Sequence, residues 1–302
     1  MHKSSIKLYD LVNAKDPKAL LPEVEYIVSL ICPAFNFRAL EQAFSDTVRL
    51  FNGHYPGYRE SNTKYHDLRH TMDVFLASAR LLHGAFVEGV EFSSRTVELV
   101  LLGALFHDVG LIQTRDDVEG TGAKHTIGHE QRSVLFMEEY FKRHRAGNKD
   151  DIRDCSHMIL CTTLRTQIKD IPFQSPEIEL GGKILATADL LGQMADRDYL
   201  EKLLLLYEEF QEAGLPYDSM YDLLEKTPDF FDMALNRFAT VLDGVSEYMG
   251  AHFRSRWNLD RDLYKESVLR NLEYLRRVLK MGYDDYMKRL RRGGITKMLS
   301  GS

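Results

Sequence analysis

Apolar residues recur at helical spacing along much of the chain. Val74–Leu82, Gln131–Phe141, Leu200–Phe210, Phe230–Met249 and Ser267–Leu279 each carry them about one turn apart, the period of an amphipathic helix. Sustained apolar/polar alternation is almost missing, and no Asn-Gly or Asp-Gly turn is flanked by two such runs. The pattern predicts an all-α fold. Leu99–Phe106 carries no charge and reads as a buried helix. Turn residues mark loops at 51–63, 116–126, 168–179 and 213–217. No stretch has the length or low complexity of an interdomain linker, and no internal repeat is visible. The expected organisation is one compact multi-helix domain over 1–302, with a motif core at about 62–200 and accessory helices in the first and last ~40 residues.

Composition narrows the partners. Hydrophobic residues make up 44% of the 302, enough for a sizeable core. The net charge of -6 leaves no footprint for nucleic acid. The basic C-terminal segment (Arg276, Arg277, Lys280, Lys288, Arg289, Arg291, Arg292, Lys297) is interleaved with acids and apolar residues, the pattern of a solvated helix face. Three cysteines, Cys32, Cys155 and Cys161, have neither an even count nor metal-site spacing, which points to reduced thiols. No apolar run reaches the ~18 residues of a membrane helix, and no secretory signal follows Met1. The expected location is the cytoplasm, without a membrane partner.

The candidate chemistry begins at His107-Asp108, which ends the Leu99–Phe106 run. An imidazole and a carboxylate leaving an apolar helix together are costly to desolvate unless something pairs with them. A helix end would also explain the histidine through the dipole, with the aspartate facing water. His66 and His70 lie four residues apart, one helical turn on one face. Asp189 is a lone acid within Lys183–Leu191, an otherwise apolar helical segment, where it needs either a partner or an exposed stripe. Taken together, His70, His107, Asp108 and Asp189 form a mixed nitrogen and oxygen set. Such a set suits zinc, manganese, iron(II), nickel or cobalt better than calcium. Asp108 has two oxygens and can bridge a second divalent ion, held mainly by water as magnesium or manganese is.

The order His…His-Asp…Asp resembles the HD superfamily of metal-dependent phosphohydrolases, most closely its class I cyclic-nucleotide phosphodiesterase-like branch. Tyr65–Val74 is similar to the first motif of that branch, Ala104–Val109 to its metal helix, and Ile184–Asp189, followed by Met194, to its last ligand helix. The resemblance implies a helical bundle with a metal site between helices and two divalent ions. His70, His107, Asp108 and Asp189 would hold the first ion, and Asp108 would bridge to the second. His66 has the position of the general acid that protonates the leaving oxygen while a metal-bridging hydroxide attacks phosphorus. His125 and His129 fall where relatives contact the second metal or the phosphate, although with Glu130 they also suit a polar helix start. His157 is expected to be structural, Gln193 to lie on exposed helix surface, and Arg69 and Lys64 to be solvated.

The chain departs from that branch in two places. Phe230–Phe238 lacks the glutamine that holds a purine, and its aromatic residues fit a core stripe. Val109-Gly110-Leu111-Ile112 stands where a His-Gly or Pro-Gly loop is usual. The expected activity is hydrolysis of a small phosphorylated substrate, a nucleotide monoester or diester. Two rivals stand beside it. A di-iron oxygenase would require His125, His129 and His157 to converge. A sensor module would bind a nucleotide without turnover. Oligomeric state has no signature in the sequence.

Overall fold

A computed structural model describes residues 5–144 and 147–281. Eleven α-helices occupy most of them: α1 Pro17–Ile31, α2 Arg38–Phe51, α3 Leu68–Val87, α4 Ser94–Phe106, α5 His129–His144, α6 Lys149–Leu160, α7 Pro176–Met194, α8 Tyr199–Glu212, α9 Met220–Ala239, α10 Tyr248–Trp257 and α11 Leu263–Leu279. The only β pairing among the described residues is two isolated bridges, Asn52 with Glu60 and Tyr58 with Thr114. The all-α expectation therefore holds.

The helix starts are written in the sequence. Asp16, Asp67, Ser93, Asn148, Ser175, Ser219 and Asp262 each accept a backbone N–H of the first turn that follows, which satisfies a donor with no partner inside the helix. Pro17 and Pro176 sit just inside α1 and α7, where a missing N–H costs nothing.

Helix α3 runs through the centre and packs against α1, α4, α7 and α10. Val74, Phe75, Leu76, Ala77, Ala79, Leu81 and Leu82 are all buried, as expected of a helix apolar on most sides. Gly84 lets α10 approach closely, since a Cβ there would lie 1.9 Å from the Tyr248 carbonyl oxygen. One continuous core joins residues from Leu20 to Val278, so the terminal helices share it with the motif core. The three cysteines are free and buried, and burial pushes the Cys161 thiol up to about 12. Among the described residues, no helix is long and apolar enough to cross a membrane. Lys288, Arg289, Arg291, Arg292 and Lys297 lie outside the described residues.

Three boundaries differ from expectation. The apolar run Phe230–Met249 is not one helix. It breaks after Ala239, where Asp243 (φ 49°) and Gly244 (φ 71°) adopt left-handed backbone, and resumes as α10. The 168–179 loop ends early, at the Ser175 cap. His66 precedes α3 instead of lying on it, because Asp67 takes the capping position.

A buried histidine pair joins α3 to α10. His83 Nδ1 and His252 Nδ1 are 3.2 Å apart, and His252 Nε2 is buried without a partner. Burial, with the cations Arg80, His83 and Arg256 nearby, holds His252 well below the ordinary histidine value. Burial and Arg256 lower His83 as well. The unfolded chain takes up these protons near its ordinary pKa of about 6.5, and the folded chain only at lower pH. Stability is thus complete above that pH and falls below it. His252→Leu is expected to make this acid limb shallower by up to about 1.4 kcal/mol per pH unit. Urea midpoints measured between pH 7 and 5 check this, and parallel limbs for the two proteins would contradict it.

Candidate metal centre

Four side chains from three helices meet at one point. His70 enters from the first turn of α3. His107 caps the C-terminus of α4, and Asp108 opens the short 3-10 turn Val109–Leu111 that follows. Asp189 comes from the middle of α7. His70 Nε2 lies 3.1 Å from Asp189 Oδ1 and 3.4 Å from Asp108 Oδ2. His107 Nε2 lies 3.3 Å from Asp108 Oδ2, 3.4 Å from His70 Nε2 and 3.8 Å from Asp189 Oδ1. The donor atoms of His70, His107 and Asp108 fall within 4.8 Å of one another.

These residues fit a divalent ion. Two ligands held ~2.1 Å from one ion at 90–109° are about 3.0–3.4 Å apart, the spacing among His70, His107 and Asp108, while Asp189 reaches that range only from His70 and lies 3.8 Å from His107. His107 Nδ1 donates to the Ala104 carbonyl oxygen at 2.9 Å, which aims Nε2 at the cluster. Asp108 Oδ2 is buried and makes no well-aligned hydrogen bond, although imidazole nitrogens of His70 and His107 lie 3.4 and 3.3 Å away. A buried acceptor left without a hydrogen bond is costly, and a cation held by His70, His107 and Asp108 would satisfy it.

The second oxygen of Asp108 faces elsewhere. His129, the first residue of α5, places Nε2 3.2 Å from Asp108 Oδ1 and donates from Nδ1 to the Thr126 carbonyl oxygen at 2.8 Å. Asp108 thus turns one oxygen to His70 and His107 and the other to His129, the arrangement of a carboxylate that bridges two positions. Protons on the imidazoles compensate the charge of Asp108. Burial opposes charging His107 and His129, but Asp108 outweighs it and both rise to about 9. The same imidazoles hold the Asp108 carboxyl well below its ordinary value despite burial.

Gly110 brings α5 this close. A Cβ on Gly110 would lie 2.0 Å from the His129 carbonyl oxygen and 2.7 Å from Ser133 N. Ser133 Oγ accepts from Gly110 N and donates to the His107 carbonyl oxygen, and Arg132 donates to the Gly110 carbonyl oxygen, so the two turns are laced together. Gly110→Ala is expected to displace the first turn of α5, cost about 1–3 kcal/mol and weaken metal retention through His129. Unfolding midpoints and metal content measure both. A variant unchanged in both would show that the contact is soft.

His66 lies at the cavity wall, its ring centroid 6.0 Å from that of His70 and 6.2 Å from that of His129. Its Nδ1 pairs with Glu209 Oε2 at 2.7 Å. Glu209 Oε1 accepts the Tyr65 N–H at 2.6 Å, and the residue is buried on α8. Burial opposes the charge on His66, but Glu209, with Asp108, holds its pKa above the ordinary value.

The cluster forms the floor of a cavity of about 650 Å³, within the range of small-molecule sites. His66, His70, Asp108, His129 and Asp189 all line it. His125 does not: its Nε2 turns to Asp117 at 2.9 Å. His157 lies outside the cavity, edge-on to Phe173. Arg69 is tied to Asp196 and Asp198, and Lys64 to Glu208. Gln193 is not on exposed surface. It lines the cavity and accepts the Tyr65 hydroxyl at 2.9 Å. In the Phe230–Phe238 stretch, Phe231 is core and Phe230 lines the cavity.

None of the curated proteins compared with the chain matches it. Residues 117–245 match the model of a family described as Npun_R2479-like, a stretch that carries His129, Asp189 and Glu209 but begins after His66, His70, His107 and Asp108.

Proposed function

We propose that this chain is a metal-dependent phosphohydrolase of HD type. The observation that carries the reading is Asp108, a buried carboxylate on a cavity floor, with one oxygen unbonded between two histidine nitrogens and the other facing a third histidine. His70, His107, Asp108 and Asp189 would hold one divalent ion, a transition metal by its ligands. Asp108 and His129 would share a second, which magnesium or manganese would suit. When bound, such ions supply Lewis-acid stabilisation of a phosphoryl group and acidify water.

The chain's own groups do the rest. His66, kept protonated by Glu209, donates its proton to the leaving oxygen from the cavity wall. Glu209 fixes the ring so that Nδ1 is engaged. His107 and His129 are oriented by backbone carbonyls and do not need to reorganise. The oxygenase alternative required His125 and His157 beside His129, and neither lines the cavity. The test is metal analysis of the purified protein, followed by hydrolysis of bis-p-nitrophenyl phosphate and p-nitrophenyl phosphate with zinc, manganese, cobalt, nickel, iron(II) or magnesium. Metal-dependent turnover that chelation abolishes is expected. A protein that takes up no metal, or turns over neither ester, sinks the reading.

A further inference from the structure

The lining of the cavity is of two kinds. The floor carries the histidines and carboxylates described above. Leu203, Leu206 and Phe210 of α8, Leu215 and Tyr217 of the loop after it, and Phe230 of α9 give the cavity an apolar wall. Phe210 and Tyr217 stack with centroids 5.3 Å apart and planes 14° from parallel. At the rim, Ile127 and Leu164 are 62% and 43% exposed and line the same cavity. Apolar groups left uncovered beside a polar floor mark a surface that something apolar covers.

Several of the polar groups that line the cavity are already bonded, although Thr163 Oγ1 is buried there without a partner and Arg165 also lines it. Thr227 Oγ1 donates to the Leu223 carbonyl oxygen, Thr162 Oγ1 to that of Ile159, and Gln193 Oε1 is taken by Tyr65. Lys226 is bonded to Asp222. A ligand against the leucine and aromatic residues gains by burying hydrocarbon.

We infer that the leucine- and aromatic-lined wall between α8 and α9 binds the apolar body of the substrate, making the natural ester that of an alkyl or aryl alcohol and not of a nucleoside. This rests on the phosphohydrolase reading for the identity of the head group. Hydrolysis forms one bond from water oxygen to phosphorus and breaks the bond from phosphorus to the alcohol oxygen. That oxygen leaves with the proton from His66.

Phosphonates separate the two readings because they bind without being cleaved. Calorimetry on the metal-loaded protein would compare methyl-, butyl- and hexylphosphonate with adenosine monophosphate. Each buried methylene strengthens binding about fourfold, so hexylphosphonate should bind at least about a hundredfold tighter than methylphosphonate and tighter than the nucleotide. Phe210→Ser and, independently, Leu215→Asn should each reduce the gain per methylene. Leu215 is half-buried in a loop, so that variant keeps the test sound if the helix substitution misfolds. A flat chain-length series, or tighter binding of the nucleotide, overturns the inference. A steep series without turnover of any phosphate ester upholds the apolar subsite and overturns the phosphohydrolase reading instead.

Discussion

Asp108→Asn is expected to strip the protein of metal and to lower phosphoester turnover by at least about three orders of magnitude, since ligand charge, nucleophile activation and phosphoryl stabilisation are lost together. The reason lies in how Asp108 is placed. Both its oxygens are committed, one toward His70 and His107 and the other toward His129. Asparagine keeps the volume but offers one neutral acceptor and a donor that would face imidazole nitrogens. The fold is expected to survive, because His107 and His129 owe their raised pKa values to this carboxylate and can shed their protons when it goes. Metal content by mass spectrometry, turnover, and thermal unfolding in chelator separate these effects. Asp117→Asn is the matched control: its carboxylate serves Lys124 and His125 away from the cavity, so metal content should not change. Retained metal and turnover in Asp108→Asn would remove Asp108 from the site.

The part of this centre visible in the sequence is the part that violates its local pattern. His107 and Asp108 follow an uncharged run, and Asp189 interrupts another; a polar group out of place in an apolar period is a signal that needs no tertiary information. Glu209 carries no such mark. It stands in Tyr207-Glu208-Glu209, which reads as a solvated helix face, and only the packing of α8 against the loop before α3 buries it beneath His66. A faint signal existed in its register, three residues after Leu206 on the buried side of α8. Gln193 was misplaced for the same reason, since one turn beyond Asp189 says which face it shares but not what covers that face. The break after Ala239 was legible in Asp243-Gly244, a turn pair inside an apolar run, where helical period outweighed turn chemistry. His66 lies on a different element from the one its spacing suggested. The i,i+4 spacing suggested one helix face, while Asp67 capped the helix between the two histidines.

His66→Gln should cost about 10²–10⁴ in turnover of an alkyl phosphate ester but less than about tenfold for a p-nitrophenyl ester. An alkoxide is too basic to leave without a proton, whereas nitrophenolate departs unaided, so only the first substrate needs an acid. Metal content should stay as it is, because His66 is not one of the clustered ligand groups and its ring centroid lies 6.0 Å from that of His70. Glu209→Gln probes the same proton from behind. Losing the carboxylate removes the main influence raising the His66 pKa against the cost of burial. Activity falls as pH rises through that pKa, so the alkaline limb of the pH profile should move to lower pH in Glu209→Gln, while turnover at acidic pH stays closer to that of the parent. A purely structural glutamate would instead lower activity equally at every pH. Equal losses on the two leaving groups in His66→Gln would make His66 a positioning residue and leave the departing oxygen to be protonated from water.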